Sequence, residues 1–281
     1  MRKAVLLSSG GMDTFLLAHH LKANGVEAEH VFVDVGQSYA QKEEAAAMYV
    51  AATVGAPFHR CPGAQLARYE HPSGIIPFRN AELILNAAQY GDDIYMGVIA
   101  DEINSDKSVD FMHAMEEVLN VSHRAQYWTE GRSFRLHTPL RDYTKTWLVA
   151  WYLDDGGYAQ ALLRTVSCYD GGGKHCGRCA SCFKRWAALI NNDVPMDGHF
   201  AANPATWYTP AQWAARLATY PQGRAAEVLR ALAAAGLGEA VAAALRQGAG
   251  VVPATPTGGR QGAAGSASVG PGVAGPGAWR A

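Results

Sequence analysis

The sequence predicts an α/β fold: a parallel, doubly wound sheet with helices on its faces, a small four-cysteine lobe and a set of C-terminal helices. Three observations predict it. Short apolar runs alternate with helical patterns through the first half of the chain, the first run ends in a glycine-rich turn, and four of the five cysteines fall between Cys168 and Cys182. With 281 residues, 49% of them hydrophobic, the chain can bury one large core and carry an appendage. A net charge of -1 supplies no basic field, so no stable nucleic-acid partner is expected. No run reaches the roughly 18 apolar residues of a membrane span, and the chain enters a strand directly, without a charged and apolar leader. A cytoplasmic protein with no membrane partner is the expectation.

The first strand, Ala4-Val5-Leu6-Leu7, runs into Ser8-Ser9-Gly10-Gly11-Met12-Asp13-Thr14 and a helix from Asp13 to about Asn24 that Gly25 ends. A glycine turn opening a helix is a phosphate site by construction: the first amides have no intrahelical partner, they lie at the positive end of the helix dipole, and glycine admits an anion close to the backbone. Ser9 and Thr14 add hydroxyls, and Asp13 can hold a metal ion or its water. The bland alternative is a turn capped by Ser9 or Asp13 with no ligand. No G-x-x-x-x-G-K-[ST] loop is present, so a kinase or GTPase of that kind is not expected.

A second strand, Glu29 to Val35, precedes Gly36-Gln37-Ser38 and an alanine-rich helix from about Ala40 to Thr53 closed by Gly55. Ligands of such sheets bind beyond the carboxyl ends of the strands, which places Asp34 and Gln37 at the rim of an adenine and ribose site unless they are plain turn residues. Residues 56–74 read as a loop with one short strand, in which Cys61 is an inert packing residue. Asn80 is the natural N-cap of a helix from Ala81 to Tyr90, and Arg79 before it can hold an anion or be an ordinary surface residue.

Ile94 to Ile99 is the third clear strand. Its outlet carries Asp101, Glu102, Asn104 and Asp106, a donor-recognising rim or a solvated loop, and a helix follows from about Val109 to Val121. A short strand is expected at Phe134 to His137. Thr144 then caps a helix from Lys145 to Leu153, and the position of Lys145 at the positive end of that helix calls for a compensating anion.

Cys168, Cys176, Cys179 and Cys182 form a C-x7-C-x2-C-x2-C pattern that closes a tetrahedral thiolate shell, read as structural Zn²⁺ because four cysteines leave no open position. The same ligands can hold an iron–sulfur cluster. Lys174, Arg178, Lys184 and Arg185 are placed to offset the cluster's negative charge. Beyond Asn192, helices are expected from Thr209-Pro210 to Tyr220, from Arg224 to Ala235 and from Leu237 to Gln247, padding the main domain or a homodimer contact. The expected organisation is a nucleotide-binding domain over 1–160, a metal lobe over 161–192, a helical extension over 193–247 and a disordered Gly/Ala/Pro-rich tail over 248–281.

These motifs together resemble the 7-cyano-7-deazaguanine synthases of queuosine precursor synthesis, within the PP-loop ATP pyrophosphatase superfamily. The residues that carry the resemblance are Ser9-Gly10-Gly11-Met12-Asp13-Thr14, Asp34-Val35-Gly36-Gln37, Pro77-Phe78-Arg79-Asn80, Thr138-Pro139-Leu140 with Thr144-Lys145, and the cysteine block through Arg185. The resemblance covers residues 1 to about 192, and the cysteine block is its most specific part. It implies an adenine nucleotide alpha hydrolase-like fold and an ATP-dependent ligase, in which the carboxylate of 7-carboxy-7-deazaguanine is adenylated, converted by free ammonium to the amide, activated again and dehydrated to the nitrile. ATP with Mg²⁺ would lie on Ser8, Ser9, Gly10, Gly11, Met12, Asp13, Thr14, Asp34 and Gln37. Asp13, Arg79 and Lys145 would be catalytic, and Asn80, Asp101 and Asp106 would meet the small-molecule acid. The chain departs from the family at Thr14, which keeps the hydroxyl of the usual serine, and at Ser108, where an arginine is expected. Competing readings are an enzyme that stops at the amide, an adenylating enzyme acting on another acid or on tRNA, and a non-catalytic zinc-lobe binding protein.

Overall fold

The computed structural model describes residues 2–71, 74–100, 105–170 and 173–248. The expectations for Asp101, Glu102 and Asn104, for Gly171 and Gly172, and for the tail from 249 onward lie outside the described residues. In chain order the elements are β1 (Ala4–Leu7), α1 (Met12–Ala23), β2 (Ala28–Asp34), α2 (Ala40–Val54), β3 (Phe58–Pro62), α3 (Arg79–Ala87), β4 (Asp93–Tyr95), α4 (Val109–Ser122), β5 (Arg135–His137), α5 (Lys145–Asp154), α6 (Ala159–Leu163), α7 (Ala180–Ile190), α8 (Pro210–Leu217), α9 (Gln222–Ala234) and α10 (Gly238–Gly248). The five strands are all parallel, in the order β3-β2-β1-β4-β5. The chain therefore moves outward from β1 through β2 to β3, then returns to the other side of β1 with β4. That reversal opens a crevice at the carboxyl ends of β1 and β4, where ligands of open α/β sheets bind.

The period-two alternation of β1 builds a core on each face. Leu6 points into one cluster with Phe15, Leu16 and Leu17 of α1, Leu148 and Tyr152 of α5 and Leu189 of α7. Val5 and Leu7 point into the other with Val31, Val33, Ile84 of α3 and Met112, Met115 and Leu119 of α4. A third cluster joins Phe183, Trp186 and Ala187 of α7 to Trp213 of α8, Val228, Ala231 and Leu232 of α9 and Val241 of α10. The C-terminal helices thus pack on α7, inside the stretch read as the metal lobe, where padding of the main domain or a homodimer contact was expected. No helix among the described residues is long and apolar enough to cross a membrane.

Two local readings change and one holds. Asn80 is not an N-cap: α3 starts at Arg79, and Phe78 takes the capping position with φ 62°. The Asn80 side chain is buried instead, and its Nδ2 donates to the Asp106 carbonyl at 3.4 Å. The expected strand over Ile94 to Ile99 is only three residues long, because past Tyr95 the ladder ends with Met96 N donating to His137 O and the chain turns back on itself, Val98 N donating to Met96 O. Cys61 is packed in β3, as an inert cysteine should be, with its thiol 3.5 Å from Asn86 Oδ1.

Candidate active site

The turn after β1 is held from both sides. Ser8 N donates to Val31 O on β2, and the Gly10 carbonyl accepts from Val166 N. Gly10 has φ +69°, and a Cβ there would lie 2.4 Å from Ala46 Cβ and 2.5 Å from Ala47 N, so the turn can lie against α2 only as glycine. Gly11 takes the N-cap position of α1, and no side chain caps the helix. The capped-turn alternative therefore fails: Ser9 Oγ is 3.1 Å from Thr14 Oγ1, and Asp13 lies 3.1 Å from Lys145 Nζ. Ser8 Oγ is buried without a hydrogen-bond partner among the described residues.

Thr144 accepts from Trp147 N and starts α5, which places Lys145 at its first position, 4% exposed. The anion that this cation requires is the Asp13 carboxylate. A helix N-terminus, a carboxylate and a buried ammonium thus converge on one cleft, lined by Ser8, Ser9, Gly11, Met12, Asp13, Thr14, Gln37, Arg79, Asn80 and Lys145. Arg79 Nη1 donates to the Tyr39 hydroxyl at 2.7 Å, and Tyr39 donates to Gly74 O at 2.9 Å, so the guanidinium is fixed at the rim.

Not every predicted residue reaches this cleft. Gly10 is turned into the packing against α2. Asp34 accepts from its own turn at Gly36 N and pairs with Arg60, on the outer side of β2. Asp106 contributes its backbone carbonyl to Asn80 but does not line the cleft. Sequence reasoning missed Glu43, Gly97, Lys107, Ser167, Tyr169 and Ser181, all of which line it. Glu43 was findable: it stands three and four residues before Ala46 and Ala47, a charged residue on the buried stripe of an otherwise amphipathic helix.

The four cysteine Sγ atoms lie within 4.8 Å of one another, and Cys176 and Cys182 are 3.7 Å apart. Four sulfurs about 2.3 Å from one cation have that spacing. The amides of Asp170 and Cys176 donate to Cys168 Sγ, that of Arg178 to Cys176 Sγ and that of Cys182 to Cys179 Sγ, the pattern that stabilises thiolates. The hydrogen bonds from Cys179 and Cys182 hold Cys168 well below the ordinary thiol value, and Cys179 is pushed up to about 12 in exchange. A metal ion held by the four sulfurs would take the place of those shared protons. Arg185, fully buried, donates to His199 Nε2, Thr165 Oγ1, Ser167 Oγ and Leu162 O, all neutral acceptors. A buried guanidinium needs a countercharge, and an anionic metal–thiolate cluster beside it would provide one. Lys174 and Arg178 are exposed instead. His175 is no ligand: its Nε2 accepts from Ser167 N. Because Val166 bonds to Gly10 and Ser167, Cys168 and Tyr169 line the cleft, the cysteine lobe forms part of the cleft wall.

Comparison with known proteins agrees with this geometry. Residues 59–193 match the family model described as queuosine biosynthesis protein QueC. Proteins named 7-cyano-7-deazaguanine synthase are similar over most of their length: that of Synechococcus elongatus is 32% identical over 222 residues, 69% of this chain and 94% of its own. Those of Pseudomonas paraeruginosa and Xanthomonas campestris pv. campestris are 31% and 30% identical, covering 96% and 99% of the relatives and 69% and 72% of this chain. With a parallel α/β sheet, a glycine turn at its switch point, a four-cysteine lobe on the cleft wall and this extent of identity, the chain belongs to the 7-cyano-7-deazaguanine synthase family.

Proposed function

We propose that this protein is an ATP-dependent ligase that converts 7-carboxy-7-deazaguanine and ammonium to 7-cyano-7-deazaguanine. The observation that carries the reading is the convergence of the uncapped α1 N-terminus, Asp13, Lys145 and Arg79 on one cleft. Such a set suits a polyphosphate: the α1 amides and Lys145 take the pyrophosphate, Asp13 helps to hold Mg²⁺, and Arg79 faces charge growing on the α-phosphate. Bound Mg²⁺ would supply charge neutralisation. The substrate carboxylate attacks the α-phosphorus and pyrophosphate leaves. Ammonia then attacks the acyl carbon and AMP leaves, giving the amide. The amide oxygen attacks the α-phosphorus of a second ATP and pyrophosphate leaves; loss of both protons from nitrogen and of AMP by C–O cleavage then forms the nitrile. The substrate supplies every nucleophile, which agrees with Cys61 being packed away in β3. Positioning and charge compensation do the work. Cys168, Cys176, Cys179 and Cys182 would hold Zn²⁺ as a brace for the cleft wall, without a place for substrate.

One observation favours a second reading, an enzyme that stops at the amide. Ser108, at the position where the family resemblance leads one to expect arginine, caps α4 by accepting from Phe111 N at 3.1 Å. Incubating the protein with ATP, Mg²⁺, ammonium and 7-carboxy-7-deazaguanine and weighing the products separates the two. AMP with the nitrile supports the first reading, AMP with the amide alone the second, and no AMP under any condition overturns both.

A further inference from the structure

Glu43 lines the cleft, and the assignments above leave it without a role. It stands on the same stripe of α2 as Ala46 and Ala47, which touch Gly10, so it lies about one helical turn, roughly 5.4 Å along the axis, from the residues that carry the phosphate turn. Its orientation is built. Gln37 Oε1 accepts from Val35 N at 3.1 Å, which fixes that amide, and Gln37 Nε2 donates to Glu43 Oε2 at 3.0 Å. The other acids near the cleft are engaged: Asp13 by Lys145, and Glu70 by the amide and hydroxyl of Ser38.

We propose that Glu43 is a further catalytic residue, the base that takes a proton from ammonium beside the activated acid; the inference rests on the reaction proposed above. An N–H bond of ammonium breaks, its electron pair stays on nitrogen, and the proton passes to the Glu43 carboxylate. The freed lone pair attacks the acyl carbon, the acyl C–O bond breaks toward the phosphate, and AMP carries away the proton that nitrogen then loses. Glu43 returns its own proton to solvent. The charged and titratable groups that face it are Arg79 from the start of α3, Glu70 and the Tyr39 hydroxyl; Tyr169, its ring 4.8 Å from that of Tyr39, stands beside Arg79. Burial outweighs Arg79 and Gln37 and pushes the Glu43 carboxyl up to about 7, where a base changes state near neutral pH. A carboxylate attracts ammonium, and its neutralisation releases ammonia as an uncharged nucleophile.

The test compares Glu43→Gln with the wild type in two half-reactions, ATP–pyrophosphate exchange with the acid substrate and amide formation. Amide formation from ammonium falls roughly 100-fold or more, against less than about 10-fold for exchange. Hydroxylamine, largely unprotonated at neutral pH, restores most of the lost rate; with ammonium the wild-type rate levels off above about pH 7, whereas that of the variant goes on rising with the fraction of free ammonia. Glu43→Asp, which keeps the carboxylate, retains the levelling at a reduced rate and serves if the glutamine variant does not fold. Equal losses with ammonium and hydroxylamine, or the same levelling in Glu43→Gln, overturn the proposal. Absence of exchange in the wild type overturns the adenylation reading and this proposal with it.

Discussion

Two glycines with the same backbone conformation offer a direct measurement of how tightly the glycine turn after β1 is held. Gly10 has φ +69° and Gly25 has φ +70°, but a Cβ at Gly10 would meet Ala46 Cβ at 2.4 Å, Ala47 N at 2.5 Å and Ala46 C at 2.6 Å, whereas one at Gly25 meets nothing within 4 Å. Gly25→Ala carries only the left-handed strain, about 1–2 kcal/mol. Gly10→Ala carries the same strain and must also push α2 back by about 1 Å to bring carbon contacts to their usual 3.5–4.0 Å. Two of the three obstructing atoms are backbone, so no rotamer change relieves them, and overpacking of this kind costs about 1–3 kcal/mol. The Gly10 variant is therefore expected to be less stable than the Gly25 variant by about 1–3 kcal/mol. Urea unfolding of both, with equal slopes, reads that difference from the midpoints. The same displacement moves the Gly10 carbonyl from Val166 and raises the KM for ATP, which Gly25→Ala leaves alone. Equal midpoints for the two variants would refute the argument that the turn is wedged against α2.

Lys145→Met removes the cation that faces Asp13, and AMP release is expected to fall on the order of 10²- to 10³-fold, as when one preorganised charge partner is lost; a variant retaining about half of the wild-type rate would sink that role. Cys179→Ala opens the thiolate shell, so metal analysis should give well under one zinc per chain, and melting should drop with it. Full zinc content in the variant, or iron in the wild type, would contradict the structural-zinc assignment. His30 lies buried in β2, its Nδ1 without a hydrogen-bond partner among the described residues, and burial lowers it from 6.5 to about 4. It is neutral in the fold while the unfolded chain takes up a proton, so stability is lost as pH falls from about 6.5 toward 4, by up to about 3 kcal/mol from this group. His30→Phe should flatten unfolding free energy measured across that window, and an unchanged pH slope would show that the imidazole is not held neutral.

Much of the fold was legible because local chemistry and burial agree. Apolar runs at β1 and β2, the caps at Thr144 and Thr209, and the glycines ending α1 and α2 all act within a few residues of themselves. The four cysteines were legible for a similar reason: their spacing alone brings the sulfurs within reach. The misreadings at Asn80 and beyond Tyr95 arose where a distant segment outweighs local preference. Burial against the Asp106 carbonyl takes Asn80 away from the cap, and the end of β5 decides where β4 stops.

By itself, then, the sequence determined the parallel α/β class, the glycine turn after β1, the four-cysteine cluster and the family resemblance, because each is written in short motifs whose residues lie within a few positions of one another. Tertiary structure alone decided that Lys145 finds its anion in Asp13, 132 positions earlier, that Asp34 turns away to Arg60, and that Glu43 reaches the cleft. It also decided that Arg185 ties the cysteine lobe to the segment lining the phosphate turn. Those pairings depend on strand order and on which face of each helix is buried, quantities set by packing across the whole sheet and carried by no local pattern.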